Sequence, residues 1–356
     1  MTIDDLTHST GEWLATGGPM GDVVISSRIR LARNLANHSF LIKASRDERA
    51  EIERSLFEAI TACDYGQKTF YVDIDKTDLL DRQLLVERHL ISRQHAEGEG
   101  NRGVAISSTE TFALMINEED HLRIQVLRRG LNLDEAWSET ARVDAAIEAL
   151  VEFAFHKRYG YLTACPTNVG TGLRVSVMLH LPALKLTNEI EKVFRAARDM
   201  HLAVRGLYGE GTDALGDFYQ ISNQTTLGQS ELEILSSFKD HVIPSIVKYE
   251  QEARRILQRD RLTALDDKIF RALGLLENAR SMSTEEALYL LSHLRMGVVL
   301  ERIKHLRLTD INDLFLAIQS AHLQKRQGET LDGERRSVAR AELIRSRLGR
   351  KNPNQN

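Results

Sequence analysis

Three consecutive carboxylates, Glu118, Glu119 and Asp120, stand between an apolar run, Phe112 to Ile116, and an alternating one, Leu122 to Leu127. Side by side they repel one another, so a fold that keeps them needs cations nearby or a cationic substrate. Arg123 is adjacent in sequence, yet one guanidinium does not neutralise three charges. Taken alone, the stretch is equally a polar turn between two strands. The arginines elsewhere break the tie. Arg28 and Arg30 share one side of an extended segment, because the strand period is two, and Arg174 and Arg205 stand where strands meet loops. Arginine forks bind phosphates bidentately, so such a set suits a polyphosphate and the charge that develops in phosphoryl transfer. A guanidinium acceptor then explains the acids. With a pKa above ~12 it is a poor nucleophile until a carboxylate orients it and accepts its proton.

The common nucleotide signatures are missing: the sequence has neither a GxxxxGK[ST] loop nor the HRD and DFG set of protein kinases. It also lacks metal-ligand spacing, so Mg²⁺ is expected to arrive with the nucleotide rather than in a protein cage. The 356 residues favour about two domains, and 47 basic against 51 acidic residues imply no bulk attraction to nucleic acid or membrane. Two cysteines, Cys63 and Cys165, form no disulfide framework and point to a reducing compartment. The N-terminal stretch carries Asp4, Asp5 and Glu12 and does not read as a signal peptide, and no apolar run approaches a membrane span. The cytoplasm is the expected location.

The elements that must position these residues follow from periodicity. Val23 to Ile25 reads as a strand running into the Arg28 segment. Helices are predicted over 46–61, 79–91, 133–158 and 188–200, and strands over 70–74, 104–107, 112–117, 122–128, 175–181, 202–205 and 218–223. Glycine-bearing loops occupy 165–172 and 206–213; the second carries Glu210 and Asp213. From Ser230 the pattern becomes helical. Ser230 with Glu233 and Ser283 with Glu286 fit capping boxes, and Thr309 reads as a further N-cap. The chain therefore divides into a mixed region, 1–228, and a helical region, 229–356.

Ser26-Ser27-Arg28-Ile29-Arg30, Asn117 to Arg123, Cys165-Pro166-Thr167-Asn168-Val169-Gly170-Thr171-Gly172-Leu173-Arg174 and Arg205-Gly206 through Asp213 resemble, in the same order, the four signature blocks of the phosphagen (guanidino) kinases. Within that superfamily the chain is similar to the bacterial protein-arginine kinases. The resemblance implies an α+β fold, an antiparallel sheet flanked by helices, followed by an all-α C-terminal domain with regulatory and dimerising roles. It implies that Glu119 is the catalytic base, supported by Glu118 and Asp120, and that Glu210 or Asp213 supplies a second carboxylate to the guanidinium. Cys165 matches the family's reactive cysteine, a positioning or tuning group rather than a nucleophile.

The same resemblance assigns Ser26, Ser27, Arg28, Ile29, Arg30, His89, Arg123, Arg174, Val175, Ser176, Val177, Met178, Arg205, Gly206, Leu207, Tyr208, Gly209 and Glu210 to the nucleotide. Tyr208 stands where small-substrate kinases often have another arginine. In the helical region Arg336-Ser337-Val338-Ala339-Arg340-Ala341 is similar to a phosphoarginine-sensing motif, with Ser337 where that motif has aspartate.

Three functions compete. One is an ATP- and Mg²⁺-dependent kinase acting on arginine side chains of proteins, marking them for Clp-type degradation and stress regulation. Its expected partners, by analogy, are exposed-arginine proteins, a zinc-binding activator adaptor, a heat-shock repressor, a Clp unfoldase and a second copy of the chain. The second is a small-molecule guanidino kinase. The third is a catalytically silent phosphoarginine-binding adaptor. Only about twenty residues precede the first block, too few for the helical N-terminal domain of the small-substrate kinases, and this favours the first.

Overall fold

The computed structural model describes residues 2–7, 9–207 and 215–349. Ten strands are present among them: β1 (Val24–Arg33), β2 (Thr69–Asp73), β3 (Gly103–Ser107), β4 (Phe112–Ile116), β5 (Leu122–Arg129), β6 (Phe155–His156), β7 (Gly160–Tyr161), β8 (Leu173–His180), β9 (Leu202–Arg205) and β10 (Phe218–Asn223). Eight of them form one antiparallel sheet in the order β2-β3-β4-β5-β1-β8-β10-β9, and β6 and β7 make a separate hairpin.

Strand alternation gives the sheet centre two chemically different faces. Ile29 and Leu31 of β1, Ile124 and Val126 of β5, and Val175 and Val177 of β8 are fully or almost fully buried in the main core. That core is continuous with the C-terminal helices, where the Phe218 and Phe315 rings meet edge-on at 4.8 Å. The alternate residues, Arg28, Arg30, Arg123 and Arg174, therefore emerge on the other face. Register sharpens the arrangement: Arg30 lies opposite Arg174, and Ala32 opposite Arg123.

Several boundaries differ from those expected. The helix predicted over 133–158 is Leu133–Glu148, because Phe153 is buried and bridges to Leu35 while Ala154 N donates to Asn34 O at 2.7 Å. Tertiary pairing along the end of β1 overrides the helical periodicity. The helix predicted to reach Ile91 ends at Glu87, and His89 turns the chain with φ 58. Residues 188–200 hold the helix Ile190–Asp199, preceded by a separate turn of helix, Pro182–Leu186, that Pro182 opens. Ser230 forms its capping box, and Ser283 accepts from Glu286 N, but the N-cap near Thr309 is Arg307.

Two buried polar clusters fasten the C-terminal helices to the sheet region. Arg295 donates to Gly21 O, Asp22 O and His180 Nδ1, and His180 Nε2 meets Ser292 Oγ at 2.9 Å. Ser292 Oγ in turn donates to Asp217 at 2.7 Å. In the other, fully buried Arg88 forks onto Glu110 at 2.6 and 2.7 Å and donates to Ser9 O and His322 Nε2. His322 Nδ1 lies 2.7 Å from Glu87, which also accepts from Ala321 N and His322 N at the start of the helix Ser320–Gln327.

Removing one partner of a buried pair leaves a desolvated charge. Arg88→Ala is expected to cost roughly 3–5 kcal/mol of unfolding free energy in urea titrations. The double replacement Arg88→Met with Glu110→Gln should recover much of that loss, because it removes both charges.

Candidate active site

The arginine face floors a cavity of about 550 Å³. Arg28, Arg30, Arg123, Arg174 and Arg205 all line it, together with Glu118, Glu119, His89 and Cys165. Residues far apart in sequence thus meet in one place: β1 and β8 supply the central arginines, β9 brings Arg205, and the β4–β5 turn brings the carboxylates.

The electrostatics at the two ends are opposed. Burial, then repulsion from Arg174, Arg123 and Arg205, pulls Arg28 down to about 9. Burial and the positive charges of Arg28, Arg123 and Arg174 also lower Arg30 well below its ordinary value, against the attraction of Glu118. Arginine keeps its proton in proteins, so these shifts express the cost of burial and then of mutual repulsion rather than neutral guanidines. Arg30 Nε is buried with no hydrogen-bond partner. A donor held in this way beside like charges fits a polyanion, and the arrangement suits the phosphates of a nucleotide.

Partners position the floor. Arg28 Nη2 donates to Gln220, and Arg174 Nη2 to Ser222 Oγ at 3.0 Å. His89 stands against Trp13 edge-on, ring centroids 4.5 Å apart, and its carbonyl accepts from Gln125 Nε2. Burial, then Arg28 and Arg93, push the His89 imidazole down to about 3, so it is neutral and offers one donor and one acceptor.

At the acidic turn Asn117 takes φ 58 and donates through Nδ2 to Arg49 O and Asn101 O. The three carboxylates then diverge. Burial opposes charge on Glu118, but Arg123, the Ser92 hydroxyl and Glu119 N–H outweigh it and hold its carboxyl below the usual range. Glu119 is partly exposed to the cavity, its Oε2 3.0 Å from Arg123 Nη2. Burial and the neighbouring Asp120 and Glu118 raise its carboxyl, against Arg123. A raised, accessible carboxylate beside a fixed anionic one is the arrangement a proton acceptor needs.

Asp120 is fully buried and is not part of the cavity wall. Its Oδ1 accepts from Asn34 Nδ2 at 2.7 Å and Ala164 N at 2.6 Å, so it pins the loop that carries Cys165 to the acidic turn. Cys165 is partly exposed, its Sγ 3.1 Å from Thr167 Oγ1. Ser27, Ile29, Val175 and Val177 lie in the buried interior, where Ser27 Oγ donates to Gly130 O. Ser26, Ser176 and Met178 surround a small void beside the main cavity, shared with Trp13 and His89. Leu207 lines the cavity, whereas Gly206 does not. Tyr208, Gly209, Glu210 and Asp213 lie outside the described residues.

In the helical region Arg340 is buried and donates to Ile318 O and Met282 O. Arg336 donates to Leu331 O, and Ser337 Oγ to Gly333 O. Arg93, Gln94, Gln220 and Gln224, to which the sequence assigned no role, also line the cavity, as do Asn168 of the third signature block and Ser92, three residues after His89. Arg93 carried a sequence signal of its own, as a further arginine four residues after His89.

Comparison with known proteins agrees with this geometry. Residues 51–253 match the family model of the ATP:guanido phosphotransferase C-terminal catalytic domain, and residues 262–356 that of the protein-arginine kinase McsB C-terminal domain. The protein-arginine kinase of Halothermothrix orenii is 43% identical over 349 residues, covering 98% of this chain and 99% of its own length.

The chain belongs to the protein-arginine kinase family.

A further member, from Geobacillus stearothermophilus, is 42% identical over 94% of this chain and 93% of its own. Among solved structures, lombricine kinase superposes with a TM-score of 0.59 at 30% identity, covering 67% of this chain and 69% of that one. The duplicated taurocyamine kinase of Schistosoma mansoni, with bound transition-state analogue components, gives a TM-score of 0.60 at 27% identity over 70% of this chain and 36% of its own. The guanidino-kinase fold and the all-α region after it stand as the resemblance implied.

The cost of burying these like charges gives a direct test of this kinase's floor. Arg30→Met should raise the melting temperature of the ligand-free protein by a few degrees while weakening nucleotide binding by at least roughly tenfold. Differential scanning fluorimetry and calorimetric titration read the two effects.

Proposed function

We propose that the protein is an ATP-dependent protein-arginine kinase, which transfers the γ-phosphoryl group of ATP to a guanidinium nitrogen of an arginine side chain in a protein substrate. The observation that carries this reading is the placement of Glu119, partly exposed and with its carboxyl raised, at the wall of the cavity floored by Arg28, Arg30 and Arg174. A phosphate-gripping floor beside a proton-accepting carboxylate is what guanidinium phosphorylation requires.

In that reaction the arginine floor holds the triphosphate and answers the charge that builds on the transferring group and on departing ADP. Glu119 orients the acceptor fork and takes the proton released as nitrogen bonds to phosphorus and the bond from phosphorus to the ADP oxygen breaks. Mg²⁺ accompanying ATP supplies further neutralisation of the phosphates. Arg123 ties both sides together, since it touches Glu118 and Glu119 and also faces the phosphate end.

Protein substrates are favoured over a small guanidino compound by the named relatives that match along nearly the whole chain and by the matched C-terminal domain. The likeness to lombricine and taurocyamine kinases keeps the small-molecule reading as the alternative. We further propose, on the family resemblance, that the phosphorylated proteins pass to a Clp-type unfoldase in a stress response. The partners in this reading are a zinc-binding activator adaptor, a heat-shock repressor and a second copy of the chain.

The test uses ATP labelled at the γ-phosphate with an unfolded arginine-rich protein, and with free arginine in parallel. Acid-labile label should appear on the protein, and Glu119→Gln should slow transfer by roughly 10²–10⁴-fold with nucleotide binding retained. Label on free arginine alone would assign the small-molecule activity instead.

A further inference from the structure

The acidic turn is held from a side that none of the signature blocks predicts. The segment after His89 crosses the cavity wall, where Ile91, Ser92, Arg93 and Gln94 all face the space. Ser92 is the N-cap of the short helix Arg93–Glu97, and its hydroxyl oxygen accepts from His95 N at 3.0 Å. The hydroxyl proton is therefore available for one direction, and it points to Glu118 Oε1 at 2.5 Å.

The Glu118 side chain is buried, and its remaining acceptor positions are filled by Arg123 Nη1 at 3.0 Å and by Glu119 N at 2.8 Å. A carboxylate surrounded in this way cannot swing, and it fixes two things in turn. It sets the backbone from which the Glu119 side chain departs, and it holds one end of the Arg123 fork whose other nitrogen touches Glu119.

We infer that Ser92 is a positioning residue for phosphoryl transfer: its hydroxyl locks Glu118, and through Glu118 it sets Glu119 and Arg123 in register. The inference rests on the reading of Glu119 as the proton acceptor. It also couples the wall that carries His89 to the acceptor end, so a change at either is felt by the other.

Capping and positioning are separable. Glycine at an N-cap costs a helix only a few tenths of a kcal/mol relative to serine, but it has no hydroxyl to donate. Threonine keeps the hydroxyl. The groups around Glu118 are Arg123 on β5, Glu119 and Asp120 on its own turn, His95 on the helix Arg93–Glu97, and Arg30 on β1. None of these changes in the variants, so a shift in the titration of Glu118 belongs to the lost hydroxyl. Loss of a donor to the charged form raises the carboxyl, and activity that needs Glu118 charged is then lost at a higher pH as the solution is acidified.

The experiment compares wild type, Ser92→Gly and Ser92→Thr by kinetics on an arginine-bearing protein and by ¹³C titration of glutamate carboxyls, with Glu118→Gln assigning the signal. Ser92→Gly should stay folded and melt only a few degrees below wild type, keep KM for ATP, lose kcat roughly 10- to 100-fold at temperatures well below its melting point, and move the acid limb of its pH profile upward. Its Glu118 signal should titrate at a higher pH, and Ser92→Thr should restore all of these. A Ser92→Gly enzyme with wild-type kcat and pH profile would overturn the inference, as would a loss of kcat that only follows a lower melting temperature. If wild type itself transfers no phosphate, the functional reading fails. The carboxyl titration still decides the Ser92 contact, and an unmoved Glu118 signal overturns it.

Discussion

Everything in this structure is arranged around like charge held together on one face of a sheet. Strand alternation sends Ile29, Leu31, Val175 and Val177 into the core, which leaves Arg28, Arg30 and Arg174 no direction but the opposite face. The antiparallel register then places Arg30 directly against Arg174. Burial makes such a cluster costly, and mutual repulsion deepens the penalty. The large core shared with the C-terminal helices supplies the rigidity that keeps it in place. The fold thus holds a surface poised for anions, and in the proposed reaction an incoming triphosphate would relieve part of that cost.

The acidic turn is the counterweight, and it works because three adjacent carboxylates have three different surroundings. Glu118 is saturated with donors and fixed as an anion. Glu119 is partly exposed, raised, and in contact with a single arginine nitrogen. Asp120 faces inward and ties the Cys165 loop through Ala164 N and Asn34. A run of identical charges in the sequence becomes a clamp, the proposed proton acceptor and a structural anchor. Environment alone divides the roles.

Much of this was legible in the sequence, for identifiable reasons. The strands that carry Arg28, Arg30 and Arg174 alternate cleanly, so their facing followed from period two. The acidic turn sits between an apolar run and a cleanly alternating one. What escaped depended on contacts between distant segments. The helix after Leu133 stops at Glu148 because Phe153 and Ala154 pair along the end of β1, a preference invisible to local periodicity. Ser92 and Gln220 are ordinary polar residues whose importance appears only once Glu118 and Arg28 are seen beside them. Asp120 shares its block with Glu119 but is fully buried and outside the cavity wall, a distinction that the turn's backbone makes and its composition does not.

The central claim is that one cavity grips phosphates at its arginine floor and an arginine side chain at Glu119. A crystal structure of the protein with ADP, Mg²⁺ and an arginine-containing peptide tests it most directly. The diphosphate should lie on Arg28, Arg30 and Arg174, with the peptide guanidinium within hydrogen-bonding distance of the Glu119 carboxylate. Phosphates bound away from these arginines, or a guanidinium seated elsewhere than at Glu119, would contradict it.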